Sequence, residues 1–359
     1  MKSLLLLPMR KPFRIIIGLI LAIVAAPTLF LIWTYARDYR PDAPEDLPPV
    51  SQVKKISELP DTLSLLTWNI GYAGLGKEMD FFYDGGSRAR CSEEETRKNL
   101  DEILRMLQNL PPQDFILLQE VDADSRRSYH INEVDRISQA FPDHIGYFCK
   151  NYDVDFVPVP VQAPMGKVLS GLLTLSVYPP SASERIPLQG TFGFPTFLFM
   201  PDRCFHLMRF PFRGRSLVII HTHNTAFDDG SQRKAQMAQL RSLALEEYRN
   251  GNYVVMGGDF NLNPHGFDAA HIAQPDTAFA VEVPSGWVQF PEGWQFHFDP
   301  AVPTNRNVDQ PYVPGKTPVT VLDFFITSPN IDCIHHKTYA TGFAHSDHQP
   351  VGIQIRLIH

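Results

Sequence analysis

The sequence lacks the signatures of several common site chemistries, and each absence closes a route. Only four cysteines are present, Cys91, Cys149, Cys204 and Cys333, widely spaced and with no Cys-x-x-Cys pair, which argues against a zinc ribbon or a thioredoxin-type motif. Their even number permits disulfides in an oxidising compartment, and buried free thiols fit the spacing equally well. No Gly-x-Ser-x-Gly elbow and no phosphate-binding P-loop occur, so neither a serine hydrolase of the elbow type nor a P-loop nucleotidase is indicated. Internal repeats and low-complexity tracts are missing. So is an excess of positive charge. Taking the six Lys/Arg and the one acid, Asp38, of residues 1–40 from totals of 32 and 39 leaves 26 basic and 38 acidic residues. A body about 12 charges negative repels polyanions on average and gives no sign of a broad face for neutralising a phosphate backbone, which argues against a general nucleic-acid binder, local basic patches aside.

What is present begins with an apolar run, Ile15 to Ala36, 22 residues without a charged side chain. At helical rise it is long enough to cross a hydrocarbon core. Lys2, Arg10, Lys11 and Arg14 before it outweigh Arg37 and Arg40 after it, so the positive-inside rule places residues 1–14 in the cytoplasm and the rest outside. Trp33 and Tyr35 would sit at the far interface. The run exceeds the apolar core of a cleavable signal peptide and lacks a small-x-small site at its end, so an uncleaved, single-pass anchor is expected. Residues 37–62, with Pro41, Pro44, Pro48, Pro49 and Pro60, read as a semi-rigid tether. The folded domain is expected over 63–359.

Within that domain, Leu63–Ile70 and Asp114–Asp122 read as strands, joined by a glycine-rich loop and a helix that opens on a Ser92/Glu95 capping box. Further strands are expected at Leu169–Leu175, Cys204–Arg209, Ser216–His223, Val319–Ile326 and Val351–Leu357, and a helix over Ser231–Tyr248. Seven of the 25 phenylalanines fall between Phe192 and Phe212. Such a cluster is more often core or a hairpin folded on its own domain, and the tip at Phe197-Leu198-Phe199 is also a candidate for lipid contact. Strands interleaved with a few helices indicate an α/β architecture.

The apolar run Tyr253–Met256 ends in Gly257-Gly258-Asp259-Phe260-Asn261, a strand that delivers a carboxylate and a carboxamide to its mouth. If the extended conformation continues, Asp259 and Asn261 point to the same side. Other strand ends present Asn69, Glu120 and His223, and Asp347-His348 precedes the last strand. Any one of these has an ordinary structural reading as a turn former, a strand end or a core histidine; their joint occurrence points to a site. Asp323, in the apolar middle of its expected strand, needs a buried partner, and His348 is the expected one. Oxygen donors from Glu120, Asp347 and Asn69 suit a hard cation, Mg²⁺ first, then Mn²⁺ or Ca²⁺. A hard metal beside histidines and a free carboxylate suggests phosphoryl chemistry.

In order along the chain, TWNI (67–70), LLQEVD (117–122), HTHN (221–224), GGDFN (257–261), LDFF (322–325) and SDHQP (346–350) resemble the endonuclease/exonuclease/phosphatase superfamily. The resemblance spans 63–359 and implies a four-layer α/β sandwich, two packed sheets flanked by helices, with the site at one edge. It implies Glu120 as the main metal ligand with Asn69 and Asp347 near the metal, and Asp259 orienting or deprotonating water. Asn261 and His223 would hold phosphate oxygens, and His348, oriented by Asp323, would stabilise the phosphoryl group or transfer a proton. Asn224 stands where many members have leucine. Arg126, Arg127 and Asn132 are candidates for extending the phosphate site, and a solvated helix face explains them as well. The expected activity is that of a membrane-anchored phosphoesterase, a lipid head group being slightly preferred over nucleic acid or a small phosphoester as substrate. An inactive binding or scaffold protein is the alternative from another class, but no member of the motif set is missing. The sequence points to no protein partner.

Overall fold

Along Arg215–His223 the side chains alternate between two apolar environments: Leu217 and Ile219 enter one buried cluster, Val218 and Ile220 another. A strand buried on both faces belongs in a sheet that is covered on both sides. The computed structural model describes residues 11–41, 43–51, 58–226, 228–272 and 289–358. Residues 1–10 of the segment expected in the cytoplasm, and residues 42 and 52–57 of the expected tether, lie outside the described residues.

One sheet has seven strands in the order β1 (Glu45–Asp46), β6 (Ala182–Pro187), β7 (Cys204–Phe212), β8 (Arg215–His223), β9 (Tyr253–Asp259), β13 (Asp323–Thr327) and β10 (Gln295–His297). The other has six, in the order β14 (Ile331–Thr338), β15 (Val351–Leu357), β2 (Thr62–Asn69), β3 (Phe115–Asp122), β5 (Gly166–Ser176) and β4 (Ile145–Val157). A short ribbon joins β11 (Asn305–Arg306) to β12 (Val319–Thr320). β8 with β9 and β2 with β3 run parallel. Leu65, Phe115, Leu117 and Ile353 of one sheet meet Phe210, Ile219, Val255 and Phe325 of the other in the central core.

Helices close the outer faces. α2 (Glu93–Asn109) and α3 (Glu133–Ala140) cover the six-stranded sheet through Leu100, Ile103, Val134 and Ile137. α4 (Ser231–Arg249) covers the other through Met237, Leu240 and Ala244. The result is the expected four-layer α/β sandwich. α2 opens on the expected capping box, the Ser92 side chain accepting from Glu95 N–H while the Glu95 carboxylate accepts from Ser92 N–H.

α1 (Lys11–Ala36) stands outside these layers. Its stretch Ile15–Ala36, of hydropathy 2.9, is long and apolar enough to cross a membrane, a test that an N-terminal signal sequence also meets. The C-terminal part of α1 rests on the domain: the Phe30 ring lies 6.0 Å from that of Phe156 and 5.9 Å from that of Phe199, and Tyr35 lies 6.4 Å from Phe197. Arg37 pairs with Asp155. The tip Phe197-Leu198-Phe199 therefore packs on α1, with Leu198 fully buried. The described part of the proline-rich stretch lies along the domain, β1 pairing with β6 and Val50 N–H bonding to the Gly146 carbonyl.

The run 319–326 is not one strand. β12 stops at Thr320 and β13 starts at Asp323, because the Thr304 hydroxyl accepts from the N–H groups of both Leu322 (2.9 Å) and Asp323 (3.0 Å) and turns the chain. Asp323 thus stands at the head of a strand, not in its middle.

Candidate active site

At the ends of β8 and β9 and the head of β13, three buried side chains lie level across adjacent strands, His223 paired with Asp259 and Asp259 with Asp323. Glycine makes this possible. A Cβ at Gly258, whose φ is +145°, would stand 1.9 Å from the Thr222 carbonyl oxygen, and one at Gly257 2.4 Å from the Phe325 ring. β9 ends at Asp259. Asn261 has φ 51°, its N–H donates to Asp259 Oδ1 and its Nδ2 to the Asn224 carbonyl, both at 2.9 Å. The expected continuation of the strand is therefore corrected: a turn closed by the Asp259 carboxylate puts both side chains in the cleft. Asn224, the departure from the family pattern, also donates its N–H to the Asp259 carbonyl.

The facing sheet supplies Asn69 and Glu120. Asn69 Nδ2 donates to Glu120 Oε1 (3.2 Å) and Asp259 Oδ2 (3.0 Å), while its Oδ1 accepts from Gly71 N–H (3.0 Å), so one carboxamide ties carboxylates of the two sheets together. Glu120 has φ 54° within the irregular stretch of β3 between Leu118 and Val121. A left-handed non-glycine residue costs about 1–3 kcal/mol. Here the irregularity aims the carboxylate into the cleft, where it stays a quarter exposed. Asp347 enters from the loop before β15, and a Cβ at Gly71 would meet its Oδ1 at 2.9 Å.

His348 Nδ1 lies 2.7 Å from Asp323 Oδ2, the partnership expected from the sequence. Its Nε2 is 2.9 Å from the Asn305 amide and 3.7 Å from Asp259 Oδ2. Burial lowers the His348 pKa, but Asp323, Asp259 and Asp347 outweigh it and hold the ring well above its ordinary value. A cationic imidazole donates from both nitrogens, so the Asn305 amide is best assigned with its otherwise unpaired Oδ1 toward Nε2. Burial raises Asp259 to about 7, with His348 pulling down and Asp323 pushing up. Asp347 rises to about 6 through burial, opposed by His348 and reinforced by Glu120. His223 moves the other way: burial, then the Arg203 and His348 charges, keep it well below its ordinary value and neutral. Its Nε2 lies 3.4 Å from Asp259 Oδ2, and its Nδ1 has no hydrogen-bond partner among the described residues.

These groups open on a cleft of about 140 Å³, lined by Glu120, His223, Asp259, Asn261, Asp347 and His348. Asn69 and Asp323 stand behind that lining. Asn305 and Arg203 line the cleft too, and neither was visible in the sequence, since they sit in stretches without periodicity. The Arg203 side chain has no hydrogen-bond or ion-pair partner among the described residues; burial lowers its pKa against the pull of Glu120 and Asp259. An unpaired guanidinium beside open space is suited to an anion. Arg127 joins the wall, held by Asp122 at 2.9 and 3.1 Å and stacked 3.7 Å from the Tyr72 ring centre. Arg126 and Asn132 do not line the cleft: Arg126 bonds to the Pro164 carbonyl, and Asn132 caps α3.

Glu120, Asp259 and Asp347 bring three carboxylates to one cleft, and burial raises two of them, the mark of a site short of positive charge. This donor set fits a hard divalent cation. Ligand atoms of Asp259, Asp323 and His348 also lie within 4.8 Å of one another, but the last two engage each other. Of the three cleft carboxylates, Glu120 and Asp347 fall outside that group.

A model of the endonuclease/exonuclease/phosphatase family matches residues 66–348, and the chain belongs to that family. No curated protein matches it. Among solved structures, an endonuclease/exonuclease/phosphatase from Beutenbergia cavernae DSM 12333 is similar at 15% identity and a TM-score of 0.54, over 83% of this chain and 72% of that one. The family member from Bacteroides vulgatus gives 15% and 0.53, over 82% and 99%. TDP2 from D. rerio, complexed with single strand DNA product, gives 15% and 0.50, over 83% and 100%. At this identity the likeness shows the fold, which is of phosphoesterase and nuclease type in a family typically dependent on divalent metal.

Proposed function

We propose that the protein is a membrane-anchored, Mg²⁺-dependent phosphodiesterase that hydrolyses a phosphoester of a lipid head group outside the cytoplasm. Glu120 and Asp347, with Asn69 alongside, hold the cation, for which Mn²⁺ and Ca²⁺ are the alternatives; when bound it neutralises charge building on the phosphoryl group. Asp259, raised to about 7, is matched to accept the proton of an attacking water near neutral pH. His348, kept cationic and oriented by Asp323, donates to a phosphoryl or departing oxygen. His223, Asn261 and Arg203 grip the remaining phosphate oxygens. In this reading α1 is the anchor, with the N-terminus cytoplasmic.

The observation that carries the lipid preference is a shared segment. Phe192, Met200, Pro201 and Arg203 line the cleft, while Phe197 and Phe199, between them, pack on Tyr35 and Phe30 of α1. A cleft whose rim is docked on the end of a membrane helix stands beside the bilayer surface. A second reading, an exported nuclease, is favoured by Tyr83, an exposed aromatic ring in the cleft wall, since aromatic faces stack on bases. The acidic body counts against it. The full chain in detergent with Mg²⁺ should be assayed in parallel on sphingomyelin vesicles, double-stranded DNA, RNA and inositol phosphates. Head-group release is expected; cleavage of DNA alone would overturn the lipid assignment, and inactivity on every phosphoester would overturn the enzyme.

A further inference from the structure

Away from the cleft, the edge strands of the two sheets, among the described residues, carry a second group of ligand-type side chains. β10 is the edge of the seven-stranded sheet and ends at His297; β14 is the edge of the six-stranded sheet and carries Cys333 and His336. His297 pairs across its ladder with Phe325, which points into the central core, so the imidazole is directed between the sheets. Residues three apart on a regular strand face opposite ways. Here the register of β14 slips between Cys333 and His335, so that Cys333 pairs with Ile355 and His336 with Ile353. Those isoleucines are two apart and both belong to the central core, so the slip brings the thiol and the imidazole to the same inward face.

The geometry is that of a ligand set. One ligand atom from each of His297, Cys333 and His336 falls within 4.8 Å of the others. Cys333 Sγ lies 3.8 Å from His336 Nδ1. Tetrahedral zinc with Zn–S of about 2.3 Å and Zn–N of about 2.0–2.1 Å separates sulfur from nitrogen by about 3.6 Å. The Thr327 hydroxyl, 2.8 Å from His297 Nε2, orients that ring as outer-shell partners do in metal sites. Burial is graded from His297, buried, through Cys333, half-buried, to His336, exposed, which leaves an entry path from solvent. None of the three lines the catalytic cleft.

We propose that His297, Cys333 and His336 form a site for a borderline-soft divalent ion, Zn²⁺ first, that clips the edges of the two sheets together. Two nitrogens and a sulfur select against the hard cations suited to the carboxylates of the cleft. Binding releases the thiol proton, the thiolate takes one coordination position, the imidazoles take two, and water fills the fourth. The clip does not depend on which phosphoester the cleft hydrolyses.

The test is Co²⁺ titration of the reduced full chain in detergent, read as the near-ultraviolet thiolate-to-cobalt charge-transfer band, which oxygen ligands cannot produce. One equivalent should saturate the band, and Zn²⁺ should displace it. It should persist in Glu120→Gln, vanish in Cys333→Ser, and require at least about tenfold more metal in His336→Ala, whose exposed site leaves the fold intact. Circular dichroism of each variant separates lost ligation from lost folding. A wild-type chain without the band, a band unchanged in Cys333→Ser, or one that disappears instead in Cys149→Ser would overturn the proposal.

Discussion

Two polar networks cross the interior between the sheets, and both draw on β8. In the first, Ser183 Oγ lies 2.9 Å from His206 Nε2, Thr174 Oγ1 lies 2.9 Å from both His206 Nδ1 and His221 Nδ1, and Gln119 lies 2.6 Å from His221 Nε2. Both ring nitrogens of both histidines are engaged. In the second, two residues further along the same face of β8, His223 Nδ1 and Asp323 Oδ1 have no hydrogen-bond partner, and the Arg203 side chain no hydrogen-bond or ion-pair contact, among the described residues. Gln119 Oε1 has no hydrogen-bond partner among the described residues, so the first network is closed at its imidazoles only. A network closed at its imidazoles can only hold the fold; one with an open imidazole and an unpaired guanidinium has capacity left for a ligand. His221 and His223 differ in this respect and not in sequence signature.

The two networks respond differently to graded perturbation. Removing divalent metal with a chelator should silence the cleft by about 1,000-fold or more in turnover, restored by Mg²⁺, with no change in circular dichroism. In Cys333→Ser, which lacks the proposed clip, loss of folded structure together with activity on chelation would show that the cleft is not separable from the interior. Asp323→Asn should lower kcat by about 100-fold and move the pH profile, since the charge that keeps His348 protonated is gone. An unaltered profile would remove Asp323 from the positioning role. Arg203→Ala should act mainly through KM, raising it about tenfold; a pure kcat effect would place the guanidinium elsewhere than on the ground-state phosphate.

The closed network has its own signature, in stability and not in rate. Burial lowers His206 from the ordinary 6.5 to about 3, and lowers His221 as well. Below about pH 6.5 the unfolded chain takes up protons that the native rings refuse, so stability falls as pH drops toward 3, by about 1.4 kcal/mol per pH unit for His206, with His221 acting in the same direction. His206→Gln should flatten the slope of unfolding free energy between pH 6 and 4, measured by urea titration. A slope equal to wild type would mean that other groups dominate the acid response.

Much of this was legible in the sequence because the informative residues stand at the ends of apolar runs. His223 and Asp259 are each the polar terminus of a buried strand, Glu120 lies near the end of another, and the His348–Asp323 pair follows from the cost of burying an acid alone. What escaped the sequence depends on register and long-range closure. Asn305 meets His348 across 43 residues of separation. The break before Asp323 needs the Thr304 hydroxyl, and the turn at Asn261 needs the Asp259 carboxylate. Cys333 and His336 share a face only because β14 slips by one residue. Neither the spacing of the cysteines nor that of the histidines carries that information.

The most direct test sets Asp259 against His221 in one assay, the initial rate of hydrolysis of an activated phosphodiester by the full chain in detergent with saturating Mg²⁺. Asp259→Asn should lose about 1,000-fold in turnover while its fold persists, and His221→Gln should keep its rate within about threefold while losing about 1–3 kcal/mol of stability. Equal rates for Asp259→Asn and wild type, or equal losses in the two variants, would contradict the separation of an open catalytic network from a closed structural one.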